Sequence, residues 1–239
     1  MLVKKQEKPQ KMPNMAELLR RVDIFGDLDD SILNKLVKIA TMQQFHNEET
    51  ITLAGDNRKV MFFIIRGQAK ILCNSKNARN GILSLLDIGD FFGEIHFFNR
   101  NTANPFSVKA EGECLVIILR GEDFKDIMIN NPKLSSLFIE KLTQKLNRAY
   151  MQIASISMNT IKRRIKSCIM QFIDERGIRT PVKNGKSTII LRNRPTQQQI
   201  AEMTGTTRET VNRELAVLVK DGYIELDGKD LILLKELSI

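Results

Sequence analysis

The period of the apolar positions changes along this chain, and each change marks a new kind of element. From residue 16 to 42 they recur at helical spacing: Leu18, Leu19 and Val22 precede a turn at Gly26-Asp27, and Ile32, Leu33, Leu36, Val37 and Ile39 follow it. Two short helices are predicted there. Between Phe45 and Leu119 the texture becomes short β-type runs punctuated by glycine: Thr50 to Leu53, Met61 to Ile65, Ala69 to Cys73, Ile82 to Leu86, Phe106 to Ala110 and Cys114 to Leu119. Strands this short, with turn residues spaced evenly between them, predict an antiparallel roll or barrel. From Pro132 to Ile156 the period is helical again but the stripe is narrow. Ile139, Leu142, Leu146, Ala149, Ile153 and Ile156 follow steps of three and four, the a/d pattern that asks for a partner helix. The stripe either covers the roll of its own chain or forms a two-fold seam. Its length and the polar residues beside it (Lys141, Gln144, Lys145, Asn147, Arg148) favour the seam, and hence a homodimer.

After Met158 the pattern restarts. Asn159-Thr160 is a capping pair for a helix from Ile161 to Glu175 whose inner face holds Ile161, Ile165, Cys168, Ile169 and Phe172. A short strand over Ser187 to Leu191 follows the Asn184-Gly185 turn. The segment from Pro195 to Leu215 is the most specific in the chain. Thr196 caps one helix with Ile200 and Met203 inward; Gly205 permits a sharp turn; Thr206 or Thr207 caps a second helix whose Val211, Leu215 and Leu218 point in. Arg208, Glu209 and Arg213 then project from the outer side of that second helix, the side that faces the major groove when a helix-turn-helix docks. Arginine's fork matches guanine O6 and N7, and a carboxylate accepts from cytosine N4. Thr196, Gln198, Thr206 and Thr207 suit phosphate contacts, which set register. Downstream, Tyr223 to Leu226 and Asp230 to Leu233 alternate around Asp227-Gly228, a tight hairpin that completes a winged helix. The organisation predicted is a tail over residues 1–15, a sensory roll over 16–131, a dimerisation helix over 132–158 and a winged helix-turn-helix over 159–239.

Composition sharpens this picture in a few places. Of the net charge of +9, most comes from residues 151–200, where ten basic side chains stand against two acidic ones. Such clustering is either a merely solvated surface or the footprint of a polyanion partner, and the adjoining helix-turn-helix segment favours the second, with double-stranded DNA as the partner. No apolar run approaches the roughly 18 residues that cross a bilayer, and the N-terminal residues lack the pattern of a secretory signal. A cytoplasmic protein without a membrane partner is expected. Cys73, Cys114 and Cys168 are too scattered for a disulfide framework or a zinc site. No metal site is expected. With no GxSxG, P-loop or HExxH motif, catalysis has no candidate residues, and the chain is not expected to be an enzyme.

The stretch Gly205 to Arg213, GTTRETVNR, resembles the recognition motif of the family of the cAMP receptor protein and the fumarate-nitrate reductase regulator, and the resemblance runs in order from about residue 16 to the end. It implies an α+β chain: an N-terminal antiparallel β-roll of cyclic-nucleotide-binding type (a jelly roll), a long dimerisation helix and a C-terminal winged helix-turn-helix. It also implies a dimer on pseudo-palindromic DNA that positions RNA polymerase, with Arg208, Glu209 and Arg213 as readers of a TGTGA-type half-site. Gly93-Glu94-Ile95 matches the opening of the family's phosphate-binding cassette. The cassette's arginine and serine fall on Asn104 and Pro105, and the pair on the long helix that contacts adenine falls on Ala149-Tyr150. An uncharged amide and an imino acid make a poor anion site, so cAMP is not the expected effector. An iron–sulfur cluster needs cysteines near the N-terminus, and none precedes Cys73. Haem gas sensing, with His96 as the ligand, stays open as an alternative, as does another small effector or none. A cyclic-nucleotide module of the kind attached to kinases or channels would lack the Thr196 to Leu218 segment.

Overall fold

The computed structural model describes residues 14–73, 81–99, 103–158, 160–180, 188–235 and 237; the side chains of residues 155–158 also lie outside the described ones. Asn159, the Asn184-Gly185 turn, Ser187 and the side chain of Ile156 therefore fall outside them. The chain divides into two compact units, Met1–Leu72 with Leu85–Glu140, and Cys73–Ser84 with Lys141–Ile239.

The first unit opens with three short helices, α1 (Met15–Leu19), α2 (Asp23–Gly26) and α3 (Asp30–Ile39), where the periodicity predicted two. The strands that follow are β1 (Ala40–Phe45), β2 (Thr50–Thr52), β3 (Val60–Cys73), β4 (Gly81–Leu86), β5 (Phe91–Phe92) and β6 (Ser107–Arg120), with the short helix α4 (Glu94–Phe98) between the last two. Helix α5 (Gly121–Ile129) leads into the long helix α6 (Pro132–Met158). The sheet order is β1-β6-β3-β4, with β2 on β6 and β5 on β3. Residues 40–42, which continue the helical spacing in sequence, belong instead to β1, because a full ladder with β6 runs from Ala40↔Leu119 to Phe45↔Cys114.

Alternation along β3 builds two cores. Phe62 and Ile64 point into the roll with Phe45, Ile51, Phe92, Val108 and Val116. Phe63, facing the other way, meets Phe25 of α2 at 4.9 Å and both Phe91 and Phe124 at 5.9 Å between ring centroids. Phe138 of α6 closes this ring cluster by stacking on Phe91 at 4.8 Å. Offset and edge-on pairs of this kind add to the area they bury.

Glycines expected to end strands turn out to bend them. Ser107 to Ala110 and Cys114 to Leu119 belong to the single strand β6, which passes through Gly112 at φ +74, while Phe106 lies just before it. Likewise β3 runs through Gly67 at φ +81, and its register against β6 shifts between Ile64 and Gln68. A bulge admits the extra residue without ending the ladder. A Cβ on Gly67 would lie 2.0 Å from the carbonyl oxygen of Glu113, so no side chain fits there.

In the second unit, α7 (Ile161–Arg176) is followed by β7 (Ile178–Arg179), β8 (Ile189–Leu191), α8 (Gln197–Thr204), α9 (Arg208–Lys220), β9 (Ile224–Asp227) and β10 (Asp230–Leu233). Its sheet has the order β7-β8-β10-β9. Ile165, Ile169, Phe172, Ile200, Val211, Leu215 and Leu218 are buried in the core of this unit. Ile161, assigned inward by the periodicity, is 41% exposed: it is the first residue of α7, before the helix has turned onto its core.

Replacing Gly67 by alanine is expected to lower the unfolding free energy by about 2–3 kcal/mol, through overpacking and the left-handed backbone. A shift in the urea midpoint reads this loss; an unchanged midpoint contradicts the bulge as described.

Candidate nucleic-acid interface and effector cassette

Local chemistry shapes the α8–α9 pair. Thr196 caps α8 through a full capping box: its hydroxyl accepts from Gln199 N at 3.2 Å, and Gln199 Oε1 accepts from Thr196 N at 2.8 Å. Gly205 ends the helix in the left-handed region at φ +64, with its N–H on the carbonyl of Ala201. Of the two candidate threonines, Thr207 caps α9, its hydroxyl accepting from Thr210 N at 3.2 Å, while the Thr206 N–H bonds the carbonyl of Ala201 at 2.9 Å.

With about 100° per residue, Val211, Glu214, Leu215 and Leu218 share one arc of α9, and all four are buried. Arg208, Asn212, Glu209 and Arg213 occupy the opposite arc, about 140° wide, and all are exposed. Asn212 accepts from Gln197 Nε2 at 3.2 Å, tying the arc to the start of α8. No ion pair among the described residues engages Arg208, Glu209 or Arg213. Gln198 is exposed and donates to Glu202 at 2.7 Å. Met203, expected on the inner face of α8, is only half-buried; Thr204 is buried in its place, donating to the carbonyl of Ile200 at 2.6 Å. Sequence reasoning also passed over Glu214, a carboxylate 5% exposed on the inner arc; nothing but its place in the helical period marks it.

The basic residues upstream divide into two groups. Lys162, Arg163, Arg179 and Arg192 are exposed, the last 3.6 Å from Asp230 beside the wing hairpin. Arg164 and Arg194 turn inward, each with a buried Nε that has no acceptor among the described residues. Arg176 lies 4.8 Å over the ring of Phe172. Lys183 and Lys186 lie outside the described residues.

On α6 much of the stripe is exposed among the described residues: Ile139 is 62%, Leu146 51% and Ile153 60% exposed, whereas Leu134 and Phe138 near its start are fully buried. Ala149 is exposed and Leu142 half-buried. Among the described residues no helix is long and apolar enough to cross a membrane, and no cluster of side chains suits a metal ion. Burial pushes the thiols of Cys114 and Cys168 up to about 11 and about 12, which makes both unreactive.

In the roll, Gly93 at φ +97 precedes α4, and a Cβ there would meet the carbonyl of Val60 at 2.6 Å. Glu94 is half-buried and Ile95 exposed. Asn104 is the hub of a small clasp. Its Nδ2 donates to Thr52 Oγ1 at 3.2 Å and to the Leu53 carbonyl at 3.3 Å; its N–H bonds the Asp56 carbonyl at 3.1 Å, and its own carbonyl accepts from Gly55 N at 2.8 Å. Thr52 in turn donates to Asp56, whose carboxylate binds Arg58 at 2.6 Å. The Arg58 hydrogen bonds hold the Asp56 carboxyl at about 2, well below the usual 3.8. His96 is 7% exposed, with Nε2 2.9 Å from the carbonyl oxygen of Asn57. Since a carbonyl only accepts, that nitrogen carries the proton.

Comparison with known proteins places both units. Residues 42–131 match the cyclic nucleotide-binding domain and residues 164–238 the Crp-like helix-turn-helix domain. The CRP-like cAMP-activated global transcriptional regulator of Mycobacterium tuberculosis is 24% identical over 219 residues, 92% of this chain and 95% of that protein. The cAMP-activated global transcriptional regulator Vfr of Pseudomonas aeruginosa is 24% identical over 203 residues, covering 84% and 92%. Among solved structures, a CooA mutant from Carboxydothermus hydrogenoformans superposes with a TM-score of 0.72 at 19% identity, over 94% of this chain and 93% of that one. This chain belongs to the Crp-Fnr family. It is accordingly a DNA-binding transcription regulator with a cyclic-nucleotide-binding-type roll.

Membership makes a cyclic nucleotide the first ligand to test against the cassette, and its described residues do not fit one. A cyclic phosphate needs a cation or several free donors. Position 104 instead supplies an uncharged amide that is already spent on Thr52 and Leu53, and Pro105 has no N–H to give. Ala149 and Tyr150 are exposed on α6. The haem expectation on His96 meets a physical obstacle as well, because its Nε2 proton is committed to Asn57 and leaves no lone pair there for iron.

The Asp56 clasp yields a pH dependence with a definite sign. Its carboxyl is depressed on folding, so its contribution is complete above about pH 4 and is lost as pH falls towards 2. In Asp56→Asn, acid melting between pH 4 and 2 should therefore be flatter than in the parent, with about 1 kcal/mol less stability at neutral pH. Superimposable acid limbs in the two proteins contradict the clasp.

Proposed function

We propose that two copies of this chain, joined along α6, present their α9 helices to successive major grooves of a pseudo-palindromic operator, with half-sites about 34 Å apart. Arg208, Glu209 and Arg213 read base edges, while Thr196, Gln198, Thr206 and Thr207, with Lys162, Arg163 and Arg192, hold phosphates. The observation that carries this reading is the exposed arc of α9, which brings two arginines and a carboxylate together with no ion-pair partner among the described residues. The inward turn of Arg164 and Arg194 removes them from the phosphate-contacting group. Exposure of Ile139, Leu146 and Ile153 supports the dimer seam, since a stripe of that kind is covered by an equal stripe in a two-fold pair. The regulator acts in the cytoplasm by positioning RNA polymerase at promoters. Its roll answers to a small effector other than a cyclic nucleotide, because Asn104 and Pro105 stand where a cyclic phosphate would be gripped.

Fluorescence anisotropy on a duplex with two inverted TGTGA-type half-sites, set against a random duplex of the same length, tests the reading helix. Arg213→Ala should reduce the ratio of specific to random affinity by about 10- to 100-fold. Lys162→Ala or Arg163→Ala should weaken both duplexes alike and lower the slope of log affinity against log salt by about 1. Equal losses from both kinds of substitution on both duplexes refute the assignment.

Sedimentation of Leu146→Asp tests the seam. A monomer at micromolar concentration, where the parent sediments as a dimer, is the expected result. A persisting dimer places the interface elsewhere.

A further inference from the structure

The second unit holds a groove of about 770 Å³ between the second half of α6, α7 and the last turn of α8, and nothing in the base-reading assignment uses it. That volume falls within the roughly 300–1,000 Å³ range of small-molecule sites. Its walls are soft and largely apolar: Met151, Met170 and Met203 come from the three helices in turn, with Ala154 and Cys168 between them. Unbranched thioethers repack around varied shapes, which suits a flexible aliphatic body.

Charge is distributed unevenly along the groove. Lys141, Arg148, Arg164, Asp174 and Glu175 line it. Arg148 is neutralised by Glu175 at 3.4 Å, and Glu175 also accepts from Gln171 at 3.0 Å. Arg164 stands apart. Its Nε is shut off from solvent without an acceptor among the described residues, and its Nη1 lies 3.7 Å from where a Cβ on Gly205 would sit. With Nε closed to solvent, an anionic acceptor supplied by a ligand in the groove would be held by the terminal N–H groups of Arg164, which lines it. Ten residues further along α7, about 15 Å away at 1.5 Å per residue, Asp174 makes the other end acidic and repels a second anion.

We infer that this groove is a second ligand site, which takes a monoanionic amphiphile: a carboxylate head on Arg164 and an aliphatic body along the three methionines. The seat lies against the turn that joins α8 to α9, so its occupant touches the reading unit directly and not the roll. The inference does not depend on which residues read bases, and its test contains no DNA.

The probe is dodecanoate, titrated below its micellar concentration into the full-length protein in a calorimeter. One site per chain with a dissociation constant below about 0.5 mM is expected, and dodecan-1-ol, which lacks the charge, should bind at least tenfold more weakly. Arg164→Gln and, separately, Met170→Glu should each weaken dodecanoate at least tenfold, while Asn104→Ala in the roll leaves it unchanged. Circular dichroism melts identify any variant that does not fold, and Met203→Glu replaces it. The inference is overturned by the absence of saturable binding up to about 2 mM, by binding indifferent to the groove substitutions, or by binding that Asn104→Ala abolishes.

Discussion

The burial of one face of α9 is the constraint on which the reading of this protein depends. Val211, Leu215 and Leu218 have a single low-energy place, against α7 and α8, and once they occupy it the opposite arc is turned to solvent. Arg208, Glu209 and Arg213 need no positioning contacts of their own. The turn enforces the same geometry from the other end: Gly205 takes a left-handed conformation that most residues avoid, and Thr207 caps the next helix two residues later. Two short-range devices and one hydrophobic stripe thus aim three charged side chains in a common direction.

Much of this was visible in the sequence because it is local. Caps, the turn glycine and the 3.6-residue period of α9 lie within a span of about two dozen residues, and each element could be read from its neighbours in the chain. The same holds for the stripe on α6. What escaped sequence reading depends on distant partners. Residues 40–42 keep helical spacing but are claimed by the β6 ladder, some 75 positions away. Gly67 and Gly112 lie between runs that read as separate strands and prove to be points where one long strand bends, a distinction set by the facing strand. Arg164 and Arg194 looked like members of one basic patch, because charge content does not say which way a side chain points.

The cassette shows how a family position can change its job. At Asn104 the resemblance identified a missing cation, and the structure shows what replaces it: a side-chain amide that donates to Thr52 and Leu53, beside two backbone hydrogen bonds of the same residue to Gly55 and Asp56. A side chain spent in this way stabilises the loop but has little left to offer an anion. The proposed groove site around Arg164 lies in the other unit and is separate from this cassette.

The most direct test of the account is selection from a random duplex library by the purified protein, followed by sequencing of the bound fraction. The account predicts an enriched two-fold symmetric motif whose half-site centres lie about one helical turn apart, and its loss when Arg208 and Arg213 are both alanine. A bound fraction with no motif, or a motif that survives that double substitution, would contradict it.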